Sequence, residues 1–152
     1  MKKLTLFTAF VFSILLFTTS HANASEETEG MNYPAKYKQF EAPIERVPKY
    51  FSMEKIVVNF RGEGKAKFLA IDLKFMSYYP QIVETEMEYL RPILKNDIDR
   101  LLRNQTHSQL NTPNGPDQLR TEILKVARNI FEHHRLYPKL LEDVYLGRFV
   151  MQ

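Results

Sequence analysis

The chain contains no cysteine. A disulfide framework, a thiolate nucleophile and a zinc thiolate centre are excluded together, so the fold must be held by its own apolar core. Any large excess of charge is also missing. The 152 residues carry 21 Lys and Arg against 18 Asp and Glu. Lys2 and Lys3 are the only charges among the first 24 residues, so loss of that segment leaves 19 against 18, a net +1. Nucleic-acid binders cluster Lys and Arg on one face, and no such footprint exists here, which excludes DNA and RNA as partners. A continuous apolar run of full bilayer length is lacking too, which disfavours a permanent span. The apolar stretch from Leu4 to Phe17 would reach about 21 Å as a helix, against a hydrocarbon core of about 30 Å. No internal repeat is visible.

What the first residues do contain is an ordered pattern. Two lysines precede the apolar run, which leads to Ala22, Asn23 and Ala24 and then to the acidic Glu26. That order reads as a secretory signal peptide over residues 1–24, cleaved after Ala24. Residues 1–24 would touch the membrane only if they were retained as an anchor.

Residues 25–49 read as an extended leader, with Pro34, Pro43 and Pro48 and no sustained period. Its aromatics are unusual for a linker. Tyr33, Tyr37 and Phe40 are three or four apart, so one helical turn could present them together. They are expected either to pack back on the domain or, with Tyr50 and Phe51, to form a docking segment for a partner.

From residue 50 the composition is that of one folded domain, 44% hydrophobic and 26% charged over the whole chain. Tyr50 to Arg61 and Ala66 to Tyr79 are two strand-like runs about a short loop with Gly62 and Gly64, the pattern of a hairpin. In the second run Leu69, Ile71, Leu73 and Phe75 alternate with Ala70, Asp72 and Lys74, so one face is apolar. Ile82, Val83, Met87, Leu90, Leu94, Ile98 and Leu101 draw one stripe down a helix from Gln81 to Asn104. Pro92 inside it predicts a kink near Glu88 to Arg91, or two shorter helices. Thr112 before Pro113 and Asp117 after Pro116 announce the next helix, with Leu119, Ile123, Val126 and Ile130 on its buried face and an end near His134 or Arg135. Val144 to Gln152 then read as a buried strand. The order strand, strand, helix, helix, strand predicts an α+β domain with helices packed on a small, mostly antiparallel sheet.

Chemistry-bearing patterns are sparse. His133 and His134 are adjacent on a helix, point about 100° apart and do not converge on one ion. Glu84 and Glu88, followed by Arg91 and Lys95, have the spacing of helical salt bridges on a solvated face. The stretch RGEGKAK lacks phosphate-loop spacing and opens a strand where a helix start is needed. His107 beside Ser108 lacks a nucleophile elbow or an oriented acid. No catalytic, metal-binding or cofactor-binding residue is assigned, no cofactor is expected, and the chain is expected not to be an enzyme.

Five stretches taken in order carry a family resemblance. They are IVVNF with Asn59, FLAIDLKF, the helix ending in DIDRLLRN, LNTPNGPDQLRTEIL with Thr112, Gly115, Leu119 and Arg120, and VYLGRFVMQ with Phe149 and Gln152. Residues 50–152 resemble the periplasmic domain of the FliL family of flagellar basal body-associated proteins. The resemblance implies a stomatin-like fold and a non-enzymatic accessory of the flagellar motor that supports rotation, motility and chemotaxis. It further implies association with the stator complex at the periplasmic linker of its B subunit, and self-assembly into a ring. Placement in the periplasm follows, or on the periplasmic side of the inner membrane if residues 1–24 stay attached. Members of the family have a short cytoplasmic tail and a transmembrane helix, where this chain has a segment resembling a signal peptide. An exported binding or inhibitor domain unrelated to motility is the alternative.

Overall fold

Alternation decides where the middle of the fold lies. Leu69, Ile71, Leu73 and Phe75 are all completely buried, as a strand whose alternate side chains form one fully covered face requires. The computed structural model, which describes residues 33–60 and 67–152, places this strand at the centre of a three-stranded sheet. Strands β1 (Lys49–Asn59) and β3 (Asp143–Met151) flank β2 (Phe68–Ser77), and both pairings are antiparallel. The glycines of the expected hairpin turn, Gly62 and Gly64, and the signal-like segment 1–24 lie outside the described residues.

The expected closing strand pairs beside β2, with Leu73 opposite Leu146 and Phe75 opposite Val144. Its last rung is made of backbone alone. Phe68 N–H donates to Gln152 O at 2.7 Å and Gln152 N–H returns to Phe68 O at 3.0 Å.

Both edge strands carry an irregularity at the same level. The β1 register steps from Met53↔Leu73 to Ile56↔Ile71, and the β3 register steps from Leu146↔Leu73 to Phe149↔Ile71. In each case two residues of the outer strand oppose Asp72. The extra residue re-phases the strand, so Phe51 and Met53 before the bulge and Ile56 and Val58 after it all face inward. Asp72 holds both places. Its Oδ1 accepts the Lys55 backbone N–H at 2.7 Å, and its Oδ2 lies 3.7 Å from Arg148 Nε. Lys55 takes a positive φ of 57° there, and Gly147 runs beside Asp72, where a Cβ would sit in ordinary contact at 3.4 Å.

The helices cover the inward face. Helix α1 (Met87–Arg103) packs on β1 and α3 (Gly115–His133) packs on β3. The apolar stripe behaves as expected from Ile82 through Met87, Leu90 and Leu94 to Ile98, but it ends on the fully buried Leu102 and leaves the expected Leu101 half-buried. The predicted break does not fall where proline placed it. Pro92 lies within an uninterrupted α1, and the irregularity is a π-helical turn just before it, over Ile82–Glu86, with Met87 N–H reaching back to Ile82 O. The π turn ends at Glu86, before the Glu88 carbonyl that the Pro92 ring faces, so α1 carries the proline without a break.

Between α1 and α3 lies a short helix, α2 (His107–Leu110), that the expected element order omits. Thr106 caps it, and the Gln109 side chain returns the bond to Thr106 N–H at 3.1 Å, a reciprocal capping box. Thr112, expected to start α3, instead donates its hydroxyl to Gln109 O at 2.8 Å and finishes α2. Asn114 occupies the N-cap of α3, with Pro116 and Asp117 in the first turn as their residue types suggest.

Candidate partner-docking surfaces

Two surfaces could meet a partner, the aromatic leader and the uncovered face of the sheet. The five aromatics considered for docking divide between burial and exposure. Tyr33, Tyr37 and Phe51 are buried in the chain's own core, Phe40 is packed against it, and Tyr50 is 52% exposed. For Tyr33, Tyr37 and Phe40, packing back on the domain is therefore what the fold does.

The leader forms a strap across the C-terminal end of α3. Tyr33 stacks on Tyr137 at 5.1 Å between ring centroids and 7° between planes, while Tyr37 meets the same ring tilted at 5.2 Å. The strap is self-closed. The Tyr33 hydroxyl donates to Lys38 O at 3.2 Å and accepts Phe40 N–H at 2.8 Å. Lys38 N–H donates to Arg135 O at 2.7 Å, and the Lys38 ammonium pairs with Glu86. Glu132 is the polar centre of the dock. One oxygen accepts the Tyr37 hydroxyl at 2.6 Å and the other pairs with Lys36 at 3.0 Å. These two partners, Tyr37 first, hold the Glu132 carboxyl below its ordinary value of 4.5. Burial pushes the Tyr33 hydroxyl above its ordinary 10.0.

Sequence reasoning did not name Glu132 or Tyr137. Their partners in the strap are some 95 to 104 positions away in the chain, and no local spacing marks such a pairing.

Beyond the strap, residues Glu41 to Pro48 form a connector into β1. It turns sharply at Arg46, where Val47 N–H donates to Glu45 O at 2.9 Å. Arg46 lies over the Tyr78 ring at 4.6 Å and 3.8 Å from a Glu142 oxygen. Ile44 is 98% exposed and Val47 is also exposed.

The second surface is the sheet face away from the helices. Tyr50 and Tyr145 meet edge to face at 6.2 Å and, with Ser52 and Lys74, border a shallow depression of about 320 Å³. At the other end Val57 and Val150 flank Ala70 in one row across the sheet. Asp72, Lys55 and Arg148 lie between the two apolar ends.

The residues that carried the family resemblance have structural positions. Gly115 is buried with no room for a side chain, since a Cβ would lie 2.5 Å from Gln109 O and 2.7 Å from Leu110 O. Its N–H donates to Thr112 O at 3.0 Å, so the glycine lets α3 start against the backbone of α2. Leu119 is in the core, Arg120 Nε stands 4.0 Å from Asp143, and Phe149 is packed against the core from β3. Asn59 and Gln152 close the two ladders opposite Phe68.

Several of the other polar residues have local partners. Glu88 and Arg91 form a two-pronged pair at 2.7 and 2.8 Å, which holds the Glu88 carboxyl low and the Arg91 guanidinium high. Lys95 pairs with Asp99. His107 meets Phe60 edge on at 6.0 Å, Ser108 Oγ lies 3.1 Å from Thr106 Oγ1, and His133 Nδ1 lies 2.7 Å from Asn129 O. Among the described residues no group of three acidic or histidine side chains is arranged to hold a metal, and no helix is long and apolar enough to cross a membrane.

Comparison with known proteins adds the family. The model of the family described as flagellar basal body-associated protein FliL matches residues 50–152, from the second residue of β1 past the end of β3. The chain is also similar to a flagellar protein named LafL from Vibrio parahaemolyticus serotype O3:K6 (strain RIMD 2210633). The two are 21% identical over 146 residues, which cover 95% of this chain and 87% of that protein.

Proposed function

Because the chain belongs to the FliL family and is thereby a flagellar basal body-associated protein, we propose that it acts as a non-enzymatic accessory of the flagellar motor. In this reading it associates with the stator complex at the periplasmic linker of the B subunit, and supports rotation, motility and chemotaxis. It works in the periplasm, or at the inner membrane facing it, as a stomatin-like domain that self-associates into a ring. The observation that carries the proposal is the family match over the whole of the helix-covered sheet. The similarity to LafL, a protein named as flagellar, supports the same direction. The exposed Val57 and Val150 on either side of Ala70, and the exposed Tyr50 and Tyr145 pair, offer apolar patches of the kind that interaction proteins present.

Deletion of the gene tests the reading. Swimming speed and motor torque are expected to fall, most at high load. Unchanged motility at every load would overturn it.

A further inference from the structure

The strap has two parts with opposite character. Tyr33 to Phe40 is an anchor, buried by aromatic stacking and fixed by Glu132. Glu41 to Pro48 is a connector that leaves Ile44 98% exposed and Val47 48% exposed. Among the described residues, Arg46 supplies the one side-chain ion pair of the connector, at 3.8 Å. Single exposed apolar residues are common, but Ile44 and Val47 stand on one eight-residue connector with Pro43 and Pro48, an arrangement that lends itself to one use.

That use is exchange. Every contact the anchor makes in its own chain is available, unchanged, from the groove of a second copy, because the groove residues Glu132, Arg135 and Tyr137 all belong to the folded domain. What decides between the two is the connector. It now doubles back through the tight turn at Arg46, and opening that turn extends eight residues to about 25 Å. Pro43 and Pro48 fix φ and favour the extended form. Two opened connectors passing each other would cover Ile44 and Val47, a contact that the closed form lacks. Within one chain the anchor has a high effective concentration, so exchange becomes favourable when copies are crowded and that extra contact is made.

The geometry points to an exchangeable strap, in which the Tyr33 to Phe40 anchor of one copy seats in the groove beside Glu132 and Tyr137 of a second copy. This rests on the self-association proposed above, and it names the segment that would produce it.

The absence of cysteine makes the test direct. Lys38 and Arg135 are exposed neighbours joined by a backbone hydrogen bond of 2.7 Å. Two full-length chains, K38C with one tag and R135C with another, are co-expressed and treated with a short thiol cross-linker. A product of two chains bearing both tags is expected. It should disappear when Y33A and Y37A are added to the K38C chain, and sedimentation at high concentration should show oligomers that lose mass with Ile44→Ser. Oligomers without the two-tag product overturn exchange and leave self-association standing. A two-tag product that persists in the tyrosine variant also overturns exchange, because the contact would then not be the strap. A monomer at every concentration overturns both exchange and self-association.

Discussion

The strap and the helix-covered sheet both bury aromatic residues, yet they do so under different terms. Phe51 and Phe75 are 6.4 Å apart inside a core whose walls are strands and helices, and neither can leave without dismantling those elements. Tyr33 and Tyr37 belong to the same contiguous core, but the segment that carries them has no helix or strand of its own. Their docking sets the burial of two aromatic rings against the entropy of ordering about eight residues, roughly 1–2 kcal/mol each. The net is a small difference between large numbers. Burial alone therefore does not measure commitment to the fold, because the cost of leaving differs between the two regions.

Four substitutions or conditions put that contrast to the test. Leu73→Ala, at the centre of β2, should cost about 2–5 kcal/mol of global stability in denaturant unfolding, with strap and sheet lost together. Gly115→Ala comes next. Its Cβ would strike the backbone of Gln109 and Leu110, so a loss of about 1–3 kcal/mol is expected and α2 should be displaced, visible as altered amide shifts at Thr106 to Thr112.

The strap variants should behave otherwise. Tyr33→Ala with Tyr37→Ala should lower global stability by only about 1–2 kcal/mol, because the undocked state is already close in energy. The same variant should raise hydrogen exchange at Lys38 N–H and expose Glu41 to Pro48 to protease while the far-ultraviolet circular dichroism is retained. A loss as large as that of Leu73→Ala would show the strap to be integral to the core.

The smallest effect is that of acid. The Glu132 carboxyl lies below its ordinary 4.5 when the strap is docked, so its contribution is fully present above that value and is lost as pH falls through the lowered one. Strap protection should be flat from neutral pH to about 4.5 and decline below it, and Glu132→Gln should abolish the decline.

The sequence made some of this legible and not the rest, for physical reasons. The alternation from Leu69 to Phe75 reads directly because a central strand repeats every two residues with one face in the core. The stripe from Ile82 to Ile98 reads equally well at helical spacing. The bulges are hidden in a phase jump, from Phe51 and Met53 on odd positions to Ile56 and Val58 on even ones, which a search for strict alternation passes over. Helix α2 was signalled by Thr106 and Gln109 at capping-box spacing, but four residues are too short for any apolar period. Proline at 92 predicted a break that α1 does not have, and the irregularity falls instead at Ile82–Glu86, ahead of α1. The strap dock could not be read at all, since Tyr33 and Tyr137 are related only in space.

Asp72 has one more consequence, for how the sheet is assembled correctly. A strand that slips by one residue turns its apolar set toward water. Slippage of β1 also carries the Lys55 N–H away from Asp72 Oδ1, and slippage of β3 carries Arg148 away from Oδ2. One carboxylate thus counts residues for two neighbours at once, and a misaligned hairpin leaves it without its donor. In the native alignment both contacts are made together, and a slip of either outer strand loses one of them.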